Sequence, residues 1–299
     1  MNHPADFAAD LAADLAVDTA VRRIGPGRFA CTLPGHWDYL LPSGGVLTTV
    51  CLRAIAAELA ELAELAASGE PELRPLSATT IFCSPVSAGA IEVGVTILRR
   101  GKVATQARAS LFAGDLLCLE VQATFGRDRP LVEVTMHGPP IVADAEQLPT
   151  IDSAGQSFTP PFIRNFDHRR AIGSQWWRVD QWVPGDRSGY WYRYLRPQTL
   201  ADGRIDPLCL PPLIDTMPTA FCAMVGPDAM AFLAPSLDLT VHFFADTTSE
   251  WLLTHAHCRA VRGGWATADI EIWDASRKLI AYGTQVMILR RRTTRPPPM

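Results

Sequence analysis

The chain contains the same order of segments twice, and this internal repeat limits its fold more than any other feature. Each half shows strand-like alternation, then one apolar helical segment, then further segments with the period-two pattern of strands. Three pairs of positions recur at a nearly constant separation: Phe82 and Phe243, Gly101 and Gly263, and Gln122 and Gln285. The repeat predicts a tandem duplication of one α+β unit. In such a unit a single helix buries its apolar face when an antiparallel sheet wraps around it.

The first half carries the strongest helical pattern, over residues 46–67. Apolar residues recur there at spacings of three and four, and glutamates occur only toward its C-terminal end. Apolar opening turns are typical of a helix that other structure encloses. Ser43 is a suitable N-cap, and the pair Gly44 and Gly45 permits close approach of a ligand or a backbone.

The corresponding segment of the second half, residues 211–221, carries one carboxylate, Asp215, in an otherwise apolar run. Its prolines predict a short and distorted helix, because Pro218 interrupts a helix that Pro211 can begin. We place Asp215 near the N-terminal end of that helix. Burial of an unpaired carboxylate is costly, so Asp215 is predicted to be neutralised, hydrogen-bonded or functional. By residue type alone, a carboxylate satisfied by backbone N–H groups is the commoner outcome.

Strand patterns surround both helices. In the first half they cover residues 21–33, 76–83, 91–98, 103–112 and 116–125, and in the second half 176–183, 189–195, 236–244, 250–261, 264–273 and 279–290. Residues 127–161 are rich in proline and lack a sustained period, which predicts a linker. The predicted divisions are an N-terminal unit at 17–135, a linker at 136–161 and a C-terminal unit at 162–293. Residues 1–20 are interpreted as a tail.

The composition limits the partners and the compartment. The net charge of −4 provides no basic field for nucleic acid. Seven cysteines, an odd number with no C-x-x-C pair, favour a reducing compartment and argue against a disulfide framework or a zinc site. The acidic N-terminus lacks the basic region of a signal peptide, and no uncharged apolar run reaches the roughly 18 residues of a membrane span. A cytoplasmic protein without metal or cofactor is therefore predicted.

Two arginine-rich clusters interrupt this acidic composition. One lies at residues 99–102, and the other comprises Arg290, Arg291, Arg292 and Arg295. Such clusters are mostly solvated surface, although a ligand that carries phosphate could use one.

Other catalytic motifs are weak. No G-x-S-x-G elbow is present, and residues 25–27 lack the third glycine of a dinucleotide loop. His255 and His257 lie two apart on a strand and could form half of a metal site, but no third ligand is evident, so an exposed polar face is favoured.

The order and spacing of several short sequences resemble those of the type II acyl-CoA thioesterases, which have a double-hotdog fold. The matches cover residues 43–45, 82–85, 98–101, 206–208, 213–215, 236–238, 242–243 and 284–285, followed by Arg290. Ser84 replaces the arginine that the family usually has in Phe-x-Arg-Pro. The resemblance covers residues 17–293 and implies an α+β fold of two tandem hotdog units, each with a central helix wrapped by an antiparallel β-sheet.

The resemblance also implies a site. The family uses an Asp on the second central helix, a Thr or Ser on the next strand and a Gln on the last strand, which fall on Asp215, Ser236 and Gln285. Asp215 would take a proton from water, and the other two would hold that water. Gly44 and Gly45 would contact the substrate. From residue type alone, Ser236 could equally be a strand-start residue and Gln285 an ordinary polar strand residue.

Hydrolysis of an acyl-coenzyme A is therefore the expected activity. The alternatives are a biosynthetic acyltransferase or acyl-carrier-protein thioesterase on the same fold, and a non-enzymatic acyl-CoA-binding protein. Between Asp38 and Glu58 the first half has no carboxylate, so it is predicted to be non-catalytic, with one site per chain. The acyl chain length and the oligomeric state stay open, and exposed sheet edges would allow a homodimer.

Overall fold

The computed structural model describes residues 12–65, 73–132, 134–135, 138–151 and 159–292. Its helices there are α1 (Leu15–Asp18), α2 (Gly44–Leu65), α3 (Leu210–Ile214) and α4 (Pro218–Val225). The strands of the first half are β1 (Arg22–Gly25), β2 (Arg28–Leu33), β3 (Arg74–Phe82), β4 (Gly89–Arg100), β5 (Ala104–Ala113) and β6 (Leu116–Gly126). Those of the second half are β7 (Phe166–Ile172), β8 (Arg187–Tyr194), β9 (Phe232–Leu233), β10 (Asp238–Phe243), β11 (Leu252–Arg262), β12 (Trp265–Asp274), β13 (Leu279–Ile288) and β14 (Arg290–Arg291).

Twelve of these strands form one sheet in the order β1-β2-β4-β5-β6-β3-β10-β13-β12-β11-β8-β7. The order on one side of the β3–β10 seam mirrors the order on the other side. At the seam the two strands are antiparallel, and the hydroxyls of Thr79 and Thr240 lie 3.1 Å apart in a hydrogen bond. The two halves are thus repeats that share one continuous sheet, as the duplication in the sequence predicts.

Helix α2 is the buried centre of the first half. Its opening turns present only apolar or hydroxyl side chains, and Val46, Val50 and Ala54 have no exposed surface. Enclosure on all sides explains why the acidic residues are confined to its far end. The helix begins at Gly44, two residues before the predicted start, and the glutamates lie in its second half.

The central helix of the second half is broken. Helix α3 ends at Ile214, and α4 begins at Pro218, whose missing N–H and fixed φ suit a first turn. Asp206 caps the preceding turn by accepting the N–H of Leu208 at 2.9 Å. Asp215 therefore lies at the break between α3 and α4, and its predicted position near the start of one helix is wrong.

One predicted strand is wrong. Residues 176–183 form a loop, and the outer strand is β7 instead, whose Asp167 pairs with Arg193 of β8. Edge strands are often polar, so the charged side chains of β7 masked its pattern. The tryptophans of the loop serve packing instead, since the indole N–H of Trp182 donates to the carbonyl of Ala223 at 2.9 Å, near the end of α4.

The structural repeat corrects one of the three matched pairs. Gln285 is buried on the inner face of β13, whereas Gln122 is exposed on the outer face of β6. Adjacent strand residues point to opposite faces, so a match displaced by one position joins unrelated environments. The inner position next to Gln122 is occupied by Ala123. Gln122 is therefore not the counterpart of Gln285.

Part of the predicted tail is folded onto the core. In α1 the side chain of Leu15 is fully buried, and the carboxylate of Asp18 accepts the indole N–H of Trp37 at 2.9 Å. The interpretation of residues 1–20 as a tail is therefore wrong from residue 12 onward, and residues 1–11 lie outside the described part.

Among the described residues, one helical stretch is long and apolar enough to cross a membrane by length and composition. It covers Pro207–Ala231, and 72% of its most apolar window is buried inside the fold. Such burial is that of a core helix, because α3 and α4 occupy the centre of the second half.

Candidate active site

The three side chains predicted from the second half converge on one point. Asp215 Oδ1 accepts hydrogen bonds from Gln285 Nε2 at 2.9 Å and from Ser236 Oγ at 3.2 Å. The amide of Gln285 also contacts the hydroxyl of Ser236. Residues from a helix break, a strand start and the last long strand thus surround a single carboxylate oxygen.

The sheet determines how these groups are placed. Gln285 lies on the inner face of β13, which pairs with β10 and β12. Ser236 precedes β10 and forms a β-bridge with Met287. Because Met287 and Gln285 are two apart on one strand, both point inward, and the bridge brings Ser236 beside the amide.

The first half supplies the other two donors. Asp215 Oδ2 accepts the hydroxyl of Ser43 at 2.9 Å and the backbone N–H of Gly45 at 3.0 Å. Both come from the start of α2, where the helix dipole favours a negative charge. Sequence reasoning treated Ser43 only as an N-cap and missed its part in this site. The signal was the serine directly before a Gly-Gly helix start.

The glycines at this helix start are required by packing. A Cβ on Gly45 would lie 2.2 Å from the carbonyl oxygen of Pro211, and one on Gly44 would lie 2.5 Å from the ring of Phe82. At Gly45 a glycine is therefore required because another backbone approaches closely, which is one of the two roles that the sequence suggested. Contact of Gly44 and Gly45 with a substrate stays a prediction.

Burial and hydrogen bonding act in opposite directions on Asp215. Burial is the larger effect and raises the pKa of its carboxyl, while the donors Gly45, Ser43, Ser236 and Gln285 lower it. A carboxylate offers about four acceptor positions, and here four donors use them. The result is a buried acid whose charged form is held by specific contacts, so that it can both accept and return a proton.

Gln285 has an unused acceptor. Its side chain is 1% exposed, and its Oε1 has no hydrogen-bond partner among the described protein residues. A buried polar atom without a partner costs about 1–3 kcal/mol. This oxygen is therefore suited to accept a hydrogen bond from a molecule that enters the site.

The most exposed side chain of the site is that of Ser236. Asp215, Ser43 and Gln285 are all buried, whereas Ser236 is partly exposed and follows the exposed Pro235. The Ser236 contact is also the longest of the four to the carboxylate. A small molecule can thus reach Asp215 most easily by displacing this hydroxyl.

A second contact between the central helices runs in the opposite direction, from α2 to the segment before α3. Arg53 of α2 reaches the start of the second central helix, where its Nη2 donates to Asp206 Oδ2 at 2.8 Å. Its Nε donates to the hydroxyl of Thr19 at 2.7 Å. Each central helix therefore sends one side chain to the start of the other, Asp215 in one direction and Arg53 in the opposite one.

The described part of the chain contains no group of three or more His, Cys, Asp and Glu residues that could hold a metal ion. His255 Nδ1 lies 3.3 Å from a carboxylate oxygen of Glu271, and His257 Nε2 lies 2.7 Å from Asp186. These histidines are thus engaged with neighbouring carboxylates on the sheet.

Family comparisons cover both halves. Residues 33–126 match the family model described as "Acyl-CoA thioesterase N-terminal domain", and residues 143–289 match the one described as "Acyl-CoA thioesterase C-terminal domain". Together the two models account for most of the chain. No curated protein sequence matches it.

Solved structures share the whole architecture. A protein of unknown function with hot dog fold from Alicyclobacillus acidocaldarius is similar with a TM-score of 0.77 and 18% identity, over 95% of this chain and 100% of that one. A putative thioesterase II from Thermobifida fusca YX has a TM-score of 0.74 and 24% identity, over 94% and 99%. Acyl-CoA thioesterase II TesB2 from Mycobacterium marinum has a TM-score of 0.71 and 15% identity, over 94% and 99%. Identities this low show the fold alone, and they confirm the predicted double hotdog.

Proposed function

The chain belongs to the type II acyl-CoA thioesterase family, and on that premise we propose that it hydrolyses an acyl-coenzyme A to a free acid and coenzyme A. Asp215 is the proposed general base, and Ser236 and Gln285 hold the attacking water. The observation that carries the proposal is the buried Asp215 carboxylate, bound by both side chains at the one partly exposed corner of the site.

The attacking water enters at Ser236 in this proposal. It takes the place of the Ser236 hydroxyl on Asp215 Oδ1, because that contact is the longest and most exposed. The water then donates one hydrogen to Asp215 and the other to Gln285 Oε1, the acceptor that has no protein partner. The displaced Ser236 hydroxyl donates to one lone pair of this water, and the other lone pair faces the thioester carbonyl.

The chemical step needs one proton acceptor that later becomes a donor. The water oxygen forms a bond to the carbonyl carbon while its proton passes to Asp215. Collapse of the tetrahedral intermediate breaks the carbon–sulfur bond, and the leaving thiolate takes the proton from Asp215. Burial favours this cycle, because it raises the pKa of Asp215 and makes the carboxylate a stronger base.

The oxyanion that forms in this step needs donors other than Gly45. The N–H of Gly45 is already bound to Asp215, so it serves the base. Other N–H groups at the start of α2, near the same positive end of the helix dipole, are the proposed donors.

Thiol release from a panel of acyl-coenzyme A substrates tests the proposal. We expect steady release of free thiol from the purified chain without any added acceptor. Release only in the presence of a hydroxyl or amine acceptor would replace hydrolysis by acyl transfer. Binding of acyl-coenzyme A without turnover would make the chain a binding protein.

Gln285→Ala tests the water-holding role against a matched control. We expect kcat/KM to fall about 10- to 100-fold, because the variant loses both the donor to Asp215 and the proposed acceptor for water. Gln122→Ala makes the same chemical change on the exposed face of β6 and should stay within about threefold of wild type. Equal losses in the two variants would remove Gln285 from the site.

Ser43→Ala tests the contribution of the first half. The Ser43 hydroxyl lowers the pKa of Asp215 by stabilising the carboxylate, so its removal raises that pKa. A raised pKa in the base moves the acid limb of the kcat/KM profile to higher pH, and the loss of activity is therefore largest at low pH. Ser87→Ala, on the surface, is the control. A Ser43→Ala profile that superimposes on that of wild type would show that this hydroxyl does not tune the base.

A further inference from the structure

We propose that Arg290 and Arg291, here called the arginine pair, bind the phosphate groups of the coenzyme A part of the substrate. This inference rests on the proposed function and extends it, because it assigns a subsite for the nucleotide end of the same molecule. It is carried by the position, the charge and the attachment of the pair.

The arginine pair is attached to the segments that carry the candidate active site. Arg290 lies opposite Leu233, and Arg291 lies opposite Phe232, in the short ladder of β14 with β9. The backbone N–H of Ile288 donates to the carbonyl of Pro235 at 3.1 Å, directly before Ser236. The segment that follows Gln285 and the segment that precedes Ser236 are therefore hydrogen-bonded to each other as far as the arginine pair.

Neither guanidinium of the pair has a carboxylate partner within 4.0 Å among the described residues, and both side chains are exposed. Arg291 lies over the ring of Phe232, with 5.8 Å between the guanidinium carbon and the ring centroid. Successive residues of a strand point to opposite faces, so the two exposed guanidiniums form two separate cationic positions. Coenzyme A carries more than one phosphate group, and guanidinium forks match phosphate oxygens in geometry.

The distance from the site suits the length of the pantetheine arm. Arg290 follows Gln285 by five positions, which limits the separation of their backbones to about 16 Å. Between its sulfur and the first phosphorus, the arm has about as many backbone bonds as four amino-acid residues, and it spans roughly 14 Å when extended. A thioester held beside Asp215 can therefore place its pyrophosphate at the arginine pair.

A phosphate subsite this far from the thioester should affect binding and leave the chemical step unchanged. Its contacts are the same in the ground state and in the transition state, so losing them raises KM and does not lower kcat. The effect should also require the phosphates themselves. An acyl-pantetheine with the same acyl group presents the same thioester and arm without the nucleotide.

The test compares the double variant Arg290→Gln/Arg291→Gln with wild type on both substrates. We expect KM for acyl-coenzyme A to rise about tenfold with kcat unchanged, and KM for acyl-pantetheine to stay unchanged. The control is Arg99→Gln/Arg100→Gln, which removes the same charge from the exposed end of β4 and should leave both substrates unaffected. Thermal melts confirm that the variants are folded.

Equilibrium binding of coenzyme A itself decides the inference independently of turnover. The dissociation constant of coenzyme A should rise about tenfold in the arginine-pair variant, and wild-type binding should weaken as salt rises. Equal affinity of wild type and the variant would overturn the inference, as would an equal rise in KM for both substrates. Wild type that binds coenzyme A through the pair but releases no thiol would instead contradict the proposed function alone.

Discussion

Asp215→Asn is expected to lower kcat/KM for acyl-coenzyme A by about 10²–10⁴-fold, the usual contribution of a positioned general base. An amide cannot take the proton of the attacking water at any accessible pH. The four contacts to this side chain, two from each half of the chain, all serve the carboxylate, so no neighbouring base is positioned to replace it.

The variant should nevertheless fold. The amide oxygen of asparagine can accept from Ser43 and Gly45 as the carboxylate oxygen does. Its NH₂ group then faces Ser236 and Gln285, and both can change roles: the hydroxyl accepts, and the Gln285 amide turns to present its free Oε1. The hydrogen bonds are therefore preserved while the base is lost.

Activity and stability must be measured together to separate these effects. Thiol release gives kcat/KM, and a thermal melt reports folding. Asp115→Asn, in the exposed turn between β5 and β6, makes the same change away from the site and should keep full activity. Undiminished turnover in Asp215→Asn would falsify the assignment of the general base.

Gly45→Ala is expected to destabilise the fold by about 3 kcal/mol, at the upper end of what overpacking usually costs. The added Cβ would lie 2.2 Å from the carbonyl oxygen of Pro211, 2.6 Å from its carbonyl carbon and 2.7 Å from the Cα of Pro212. All three are backbone atoms of α3, which cannot rotate away. The starts of α2 and α3 would have to separate.

Separation of the helices should also damage catalysis. The N–H of Gly45 donates to Asp215 at 3.0 Å, and this bond lengthens when α2 moves. Urea unfolding measures the loss of stability, and thiol release by the remaining folded protein measures the loss of activity. Gly94→Ala on β4 is the control, because no heavy atom beyond the adjacent residues lies within 4 Å of its added Cβ. Equal unfolding free energies for the two variants would show that the contact with Pro211 does not limit the fold.

The sequence predicts well those elements in which one face is buried along the whole length, because their apolar residues then follow the helical or strand period. Helix α2 is enclosed along its opening turns, so its apolar residues follow the helical period. Strand β4 has the clear alternation of a sheet with one buried face. The duplication allowed the arrangement of each half to be predicted, because a repeated unit with a single helix has few ways to bury that helix.

The features that the sequence did not predict depend on contacts between segments distant in the chain. Strand β7 owes its state to pairing with β8, and its charged residues carry no strand pattern. Ser43 joins the site because α2 crosses α3, a contact that local spacing does not reveal. Gln122 was matched to Gln285 by residue type, whereas the face of a strand decides whether a side chain reaches the core.

The reciprocal contacts between the central helices bear on how a duplicated protein diverges. In a symmetric dimer of single units, every substitution occurs twice, so two equivalent positions must carry the same residue. Fusion of the units into one chain removes that constraint. Here two contacts cross between the central helices. In one crossing the Asp215 carboxylate reaches the start of α2, and in the opposite crossing Arg53 of α2 forms an ion pair with Asp206. The two crossings therefore carry different chemistry, a buried carboxylate in one and an ion pair in the other, and a substitution in either half can change one crossing without the other.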